Sequence, residues 1–202
     1  PGGGKLKSRS GGAVKLLDLL NEAIDRASAS VKGRNPDITQ EELGRLSRSI
    51  GIGAVKYSDL KSDRTKDYVF DWEKMLSFEG ETGPYLQYAH ARISSILRND
   101  KFQQSKSGPT SFSLAHESEM RLAREIMKYP ESVDQAAEDL APHRICKQLH
   151  RLSQAFAAFY ENCPVLVEDG NTRNERLALC RITGGILNHG LNLLGIDAPD
   201  RM

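Results

Sequence analysis

Apolar positions recur along this chain at helical spacing and almost nowhere at the alternating spacing of a strand. Residues 13–31 place Val14, Leu17, Leu20, Ile24, Ala27 and Val31 on one face, which predicts a first helix. The stretch 32–37, with Gly33 and Asn35-Pro36, is a loop. Thr39 and Glu42 have the spacing of a capping box for a second helix, which turns Leu43, Leu46, Ile50, Ala54 and Tyr57 inward. Gly51 and Gly53 weaken that helix by about 1 kcal/mol each relative to alanine, so they mark either close packing or a break. Tyr68-Val69-Phe70 reads as a short extended piece. Asp71 reads as the cap of a brief turn carrying Trp72 and Met75, with Trp72 expected in the core.

From residue 84 to about 99 nothing breaks a helix. Pro84 takes the first helical position, where its fixed φ helps and its missing N–H costs nothing. Leu86, Ala89, Ile93, Ile96 and Leu97 form its apolar face. A polar loop at 103–111 follows. Ser113 is the expected cap of a helix reaching about 128, with Ala115, Leu122 and Ile126 inward. Pro130 and Pro142 each open a new helix. The second of these carries the stripe Ile145, Leu149, Leu152, Phe156 and Phe159 and stops at Asn162-Cys163-Pro164. After a loop at 164–171, Thr172 and Glu175 suggest another capping box. The last helix places Leu177, Cys180, Gly184, Leu187, Leu191 and Leu194 on one face. Gly184 leaves room for a neighbouring helix, and Gly195 ends the run. The expected fold is an all-α helical bundle with strand content near zero. The heptad-like spacing of the last stripe would serve a dimer as well as an internal core.

Composition narrows the function. The chain has 202 residues, 27% of them charged, and a formal net charge of +1. Bulk positive charge therefore does not hold nucleic acid here, and any RNA binding must use local patches and shape. No run of 18 apolar residues exists, so no membrane span is expected. The first residues carry no apolar signal-like core. Cys146, Cys163 and Cys180 are odd in number and widely spaced, which argues against a disulfide framework and fits a reducing, cytoplasmic compartment. The five histidines share no ligand spacing with one another or with cysteine, so no metal site is expected.

Two stretches carry candidate chemistry. Tyr85, Tyr88 and Arg92, at i, i+3 and i+7, form a stripe beside the apolar face of their helix. Two phenol rings and a guanidinium there suit the stacking of unpaired bases and the holding of phosphate. The same spacing equally serves half-buried packing rings, with Arg92 paired to a carboxylate. Residues 1–12 are glycine-rich and carry Lys5, Lys7 and Arg9 without an acid. Gly4-Lys5 lacks the spacing and the following Ser or Thr of a phosphate-binding loop. Cations and hydroxyls on a mobile loop would instead stabilise charge on a leaving pyrophosphate, and a structureless start explains the composition too.

The run Glu81-Thr82-Gly83-Pro84-Tyr85-Leu86-Gln87-Tyr88-Ala89-His90-Ala91-Arg92 resembles the signature of the helical anticodon-binding domain of class I arginyl-tRNA synthetases. Lys5-Leu6-Lys7-Ser8-Arg9-Ser10-Gly11 resembles that family's divergent K-M-S-K-S loop, with Ser8 where the second lysine usually stands and Arg9 or Lys7 as its substitute. Gly53-Ala54-Val55-Lys56-Tyr57-Ser58-Asp59-Leu60 and the ending Ala198-Pro199-Asp200-Arg201-Met202 resemble the family in order. The resemblance implies a division at 1–35, the end of a catalytic domain with its loop and linking helix, and 36–202, the anticodon-binding domain. It implies that Tyr85, Gln87, Tyr88, Arg92 and Met202 contact arginine tRNA, and that Lys5, Lys7, Ser8 and Arg9 contact ATP, with Mg accompanying it. The whole enzyme would activate arginine with ATP and transfer it to tRNA. The H-I-G-H motif and the arginine pocket are absent from these residues, so the chain alone is expected to bind RNA as a monomer, without a cofactor and without aminoacylating. The alternatives are a helical protein-interaction module, which would use the stripe from Leu177 to Leu194, or a stand-alone protein derived from the synthetase.

Overall fold

The computed structural model of the chain describes residues 15–67, 69–98, 109 and 111–202. Eight helices and no strands occur among the described residues: α1 (Leu16–Arg34), α2 (Gln40–Leu60), α3 (Trp72–Met75), α4 (Gly83–Arg98), α5 (Glu117–Met127), α6 (Tyr129–Glu138), α7 (His143–Asn162) and α8 (Gly170–Leu193). The all-α bundle read from the sequence is the observed fold.

Two apolar clusters hold it together. The smaller lies between α1 and α2, where Ala27, Val31, Leu43, Leu46 and Ile50 are buried. The larger joins α4 to α8 and includes Leu86, Ile93, Leu122, Leu149, Phe159, Leu187 and Leu191. Each fully buried Leu, Ile or Phe in it contributes roughly 1.5–3 kcal/mol of transfer free energy. Tyr57 on α2 reaches into the larger cluster, and its hydroxyl donates to the Cys146 carbonyl at 3.3 Å. Burial pushes that phenol far above its usual range.

The glycines that weaken α2 on paper mark close packing. A Cβ at Gly51 would lie 2.7 Å from the Ala23 carbonyl carbon, so α1 rests backbone to backbone on α2. A Cβ at Gly83 would lie 2.8 Å from the Gly53 carbonyl oxygen, which brings the start of α4 onto α2 in the same way. The α1–α2 hairpin thus crosses the expected division at residues 35 and 36. Farther on, Ile93 fills the space opposite Gly184, where a Cβ would come within 2.9 Å of its Cγ2.

Several local expectations are corrected. Leu17 is 66% exposed, and the inner face of α1 is Ala23, Ala27 and Val31; Val14 lies outside the described residues. Trp72 is half-buried at the margin, edge-on to Phe70 and under the Arg26 guanidinium. Tyr68 lies outside the described residues, and Val69 is exposed without strand pairing. His116, three residues past Ser113, caps α5: its Nδ1 accepts from the Ser118 amide, while Glu119 accepts from the His116 amide. Asp169, and not Thr172, caps α8 by accepting from the Thr172 amide at 2.7 Å. Glu175 is engaged elsewhere, accepting from the Ser113 amide and hydroxyl. The stripe of α8 from Leu177 to Leu194 is spent inside the chain, since all six positions are buried. No helix among the described residues is long and apolar enough to cross a membrane.

Candidate nucleic-acid interface

The start of α4 is fixed by Thr82. Its Oγ1 accepts from the Tyr85 amide at 3.1 Å and donates to the Ser77 carbonyl at 2.6 Å, which closes the preceding turn. Lys61 adds a hydrogen bond to the Glu81 carbonyl. The helix then turns its apolar face onto α8 and α2, and the signature stripe divides. Tyr85 is half-buried at the core margin, 5.8 Å from the His150 ring, and burial raises its phenol pKa. Burial also lowers the pKa of His150. Tyr88 and Arg92 point outward: Tyr88 is 40% exposed and Arg92 is exposed.

These two residues stand in a row of rings and guanidinium groups drawn from four parts of the chain. Arg34, at the end of α1, lies 3.9 Å from the Phe78 ring centroid. Phe78 meets Tyr88 edge-on at 6.4 Å. One turn along α4, Arg92 stacks over Tyr160 of α7 at 4.3 Å. No carboxylate pairs with Arg92 among the described residues; the partner of its guanidinium is the Tyr160 ring.

Residues 197–202 run beside α4 instead of fraying. The helix before them ends with Gly195 in the left-handed region at φ +67, and the Ile196 amide donates back to the Leu191 carbonyl at 2.9 Å. Lys56 donates to the Gly195 carbonyl, and Ile196 is buried as an anchor. Gln87 donates to the Asp197 carbonyl at 2.9 Å and to Ser49. His90 Nδ1 bonds the Pro199 carbonyl at 3.1 Å. Ser94 donates to the Asp200 carboxylate, and Arg98 to its carbonyl, each at 2.9 Å. Gln87, grouped with the contact residues on sequence resemblance, is fully buried and reaches the tail, not the surface. Between Tyr88, Arg92, Met202 and the α1–α2 turn at Asn35 and Ile38 opens a groove of about 490 Å³. Met202 sits at its edge, 36% exposed.

Phe78, Arg34, Tyr160 and the tail contacts were not read from the sequence. The spacing of Gln87, His90, Ser94 and Arg98 was the available signal, because polar groups at i, i+3, i+7 and i+11 make one continuous helical stripe. Lys5, Lys7, Ser8 and Arg9 lie outside the described residues. Among the described residues no group of three or more His, Cys, Asp or Glu side chains could hold a metal ion.

Residues 86–202, which carry most of α4, Tyr88, Arg92 and the tail, match the model of the DALR anticodon binding domain. The chain belongs to that family. Residues 2–72 match the model of the class I (R) tRNA synthetase catalytic domain, so the family's anticodon-binding part follows directly on a piece of catalytic domain. The chain is 47% identical to the arginine–tRNA ligase of Proteus mirabilis over 202 residues, covering 99% of this chain and 35% of that protein. It is also 47% identical to the arginine–tRNA ligase of Frankia casuarinae, covering 100% of this chain and 34% of that one. Among solved structures it resembles the arginyl-tRNA synthetase of Thermus thermophilus, with a TM-score of 0.87 and 37% identity over 95% of this chain and 33% of that one. The arginyl-tRNA synthetase of Plasmodium falciparum follows with a TM-score of 0.80 and 32% identity over 94% and 34%. The chain thus spans about a third of the length of the curated relatives it matches. The synthetase resemblance read from the motifs holds along the whole chain.

Proposed function

We propose that this chain is the carboxy-terminal part of an arginine–tRNA ligase, and that the groove between α4 and residues 197–202 receives the splayed anticodon loop of arginine tRNA. The observation that carries this reading is the convergence of Tyr88, Arg92 and Met202 on one groove. Tyr88 offers a ring for a base to stack on, Arg92 offers a guanidinium that pairs with no carboxylate among the described residues, and Met202 offers a flexible apolar cover. Tyr85 and Gln87 serve the same site from below, one by packing against α7 and the other by holding the tail.

In the whole enzyme, arginine is activated with ATP and passed to the tRNA. Residues 1–35 would close the catalytic domain, with Lys5, Lys7, Ser8 and Arg9 on the triphosphate, and residues 36–202 would form the anticodon-binding part. Magnesium would enter with ATP. The chain alone lacks the H-I-G-H motif and would bind tRNA as a cytoplasmic monomer without aminoacylating it.

The test is tRNA affinity. Tyr88→Ala is expected to cost about 1–3 kcal/mol in binding arginine tRNA, the size of one lost stacked base. Unchanged affinity, in a variant whose thermal unfolding matches the wild type, would place the RNA site elsewhere.

A further inference from the structure

The contacts between α4 and the tail have a regular geometry. Along the tail they fall at Asp197, Pro199 and Asp200; along α4 they fall at Gln87, His90 and Ser94, in the same direction. Three residues of extended chain advance about 10 Å, and seven residues of helix advance about 10.5 Å. The overall spans match, and the contacts run in order from Gln87–Asp197 through His90–Pro199 to Ser94–Asp200, where the tail bends. Arg98 then closes the run on the Asp200 carbonyl. Three of the four bonds are accepted by tail backbone carbonyls and one by the Asp200 carboxylate, so the track reads mainly the position of the chain. Pro199 loses no donor in this arrangement, because only its carbonyl is engaged.

We propose that Gln87, His90, Ser94 and Arg98 form a docking track that sets the register of residues 197–202, and that they act as positioning residues for RNA recognition by placing Met202 against Tyr88 and Arg92. The proposal rests on the reading of the groove as the anticodon site. Register matters because a slip of one residue moves Met202 by about 3.3 Å and turns alternate side chains to the opposite side. That displacement is enough to take the methionine off a base held by Tyr88. The track is fixed to the body at both ends: Lys56 and buried Ile196 hold its beginning, and Arg98 holds its end.

The experiment measures arginine-tRNA binding by the 202-residue chain in a double-mutant cycle. The single changes are His90→Ala and deletion of residues 201–202. Each is expected to weaken binding roughly tenfold, the lower part of the range for one lost stacked base. Together they should weaken it no more than the deletion alone, because His90 acts only through the tail. His90→Asn, which keeps an N–H donor for the Pro199 carbonyl, should restore most of the affinity. Ser94→Ala provides a second, milder variant should His90→Ala unfold, and it should also lose its effect in the shortened chain. Full additivity, or His90→Ala and Ser94→Ala both binding like the wild type, would overturn the track. If Tyr88→Ala also binds like the wild type, the groove reading has failed as well; if Tyr88→Ala weakens binding, only the track has failed.

Discussion

Gly44 and Gly51 sit seven residues apart on α2 and should respond oppositely to alanine. A Cβ at Gly44 meets nothing within 4 Å, so Gly44→Ala is expected to stabilise the fold by about 0.5–1 kcal/mol through helix propensity alone. A Cβ at Gly51 meets the backbone of Ala23 and Ile24 at 2.7–2.8 Å, and backbone cannot rotate aside. Gly51→Ala should therefore cost about 1–3 kcal/mol, the usual penalty for overpacking. Urea unfolding of the two variants checks both signs; a stabilised Gly51→Ala would mean that α1 does not rest on α2. Sequence could not separate these two glycines, because propensity penalises them equally and only the partner helix distinguishes them. The same limit governs Tyr85 and Tyr88. Their spacing put them on one stripe, yet three residues of helix rotation turn one toward His150 and leave the other outside.

At the scale of elements, the helices with clean apolar stripes were legible, and their ends were less so. The stripes of α7 and α8 lie in the core as their periodicity required. Leu16 and Leu17 at the start of α1 are exposed, because periodicity says which residues share a face and not whether another element covers it. The α5 cap was missed because Ser ranks ahead of His116, and the α8 cap because Thr172 and Glu175 have capping-box spacing although Asp169 is the better N-cap residue. The α5 cap also joins α5 to α8. Glu119 accepts from the His116 amide at 3.0 Å and from Arg176 Nε at 2.6 Å, and Arg176 donates onward to the Pro164 carbonyl. Burial pushes the Glu119 carboxyl up, but the amide and the guanidinium outweigh it and hold its pKa below the ordinary carboxylate range. A depressed folded pKa means that the unfolded chain binds more protons in that window. The stabilisation is then present above about pH 4.3 and is lost as pH falls through that value and below it. Glu119→Gln should be less stable than the wild type at pH 7 by about 1–3 kcal/mol, with Arg176 left short of a charged partner. That gap should close on acidification in denaturant titrations; a gap independent of pH would contradict the account.

For the whole molecule, the order of helices and the class of fold followed from hydrophobic spacing, while the site depended on contacts across a hundred residues. Gln87 and Asp197 are 110 positions apart, and no local pattern pairs them. The polar stripe on α4 carried that signal unread, and only the family resemblance grouped Met202 with the tyrosines. Net charge of +1 makes a diffuse electrostatic grip weak, so discrimination must come from the groove itself. The direct test compares binding of the 202-residue chain to arginine tRNA and to the same tRNA with an altered anticodon, at two salt concentrations. The account predicts a preference of about 1–3 kcal/mol for the native anticodon, retained at the higher salt because stacking survives screening. Equal affinity for both tRNAs at both salt concentrations would contradict the assignment of the groove as an anticodon reader.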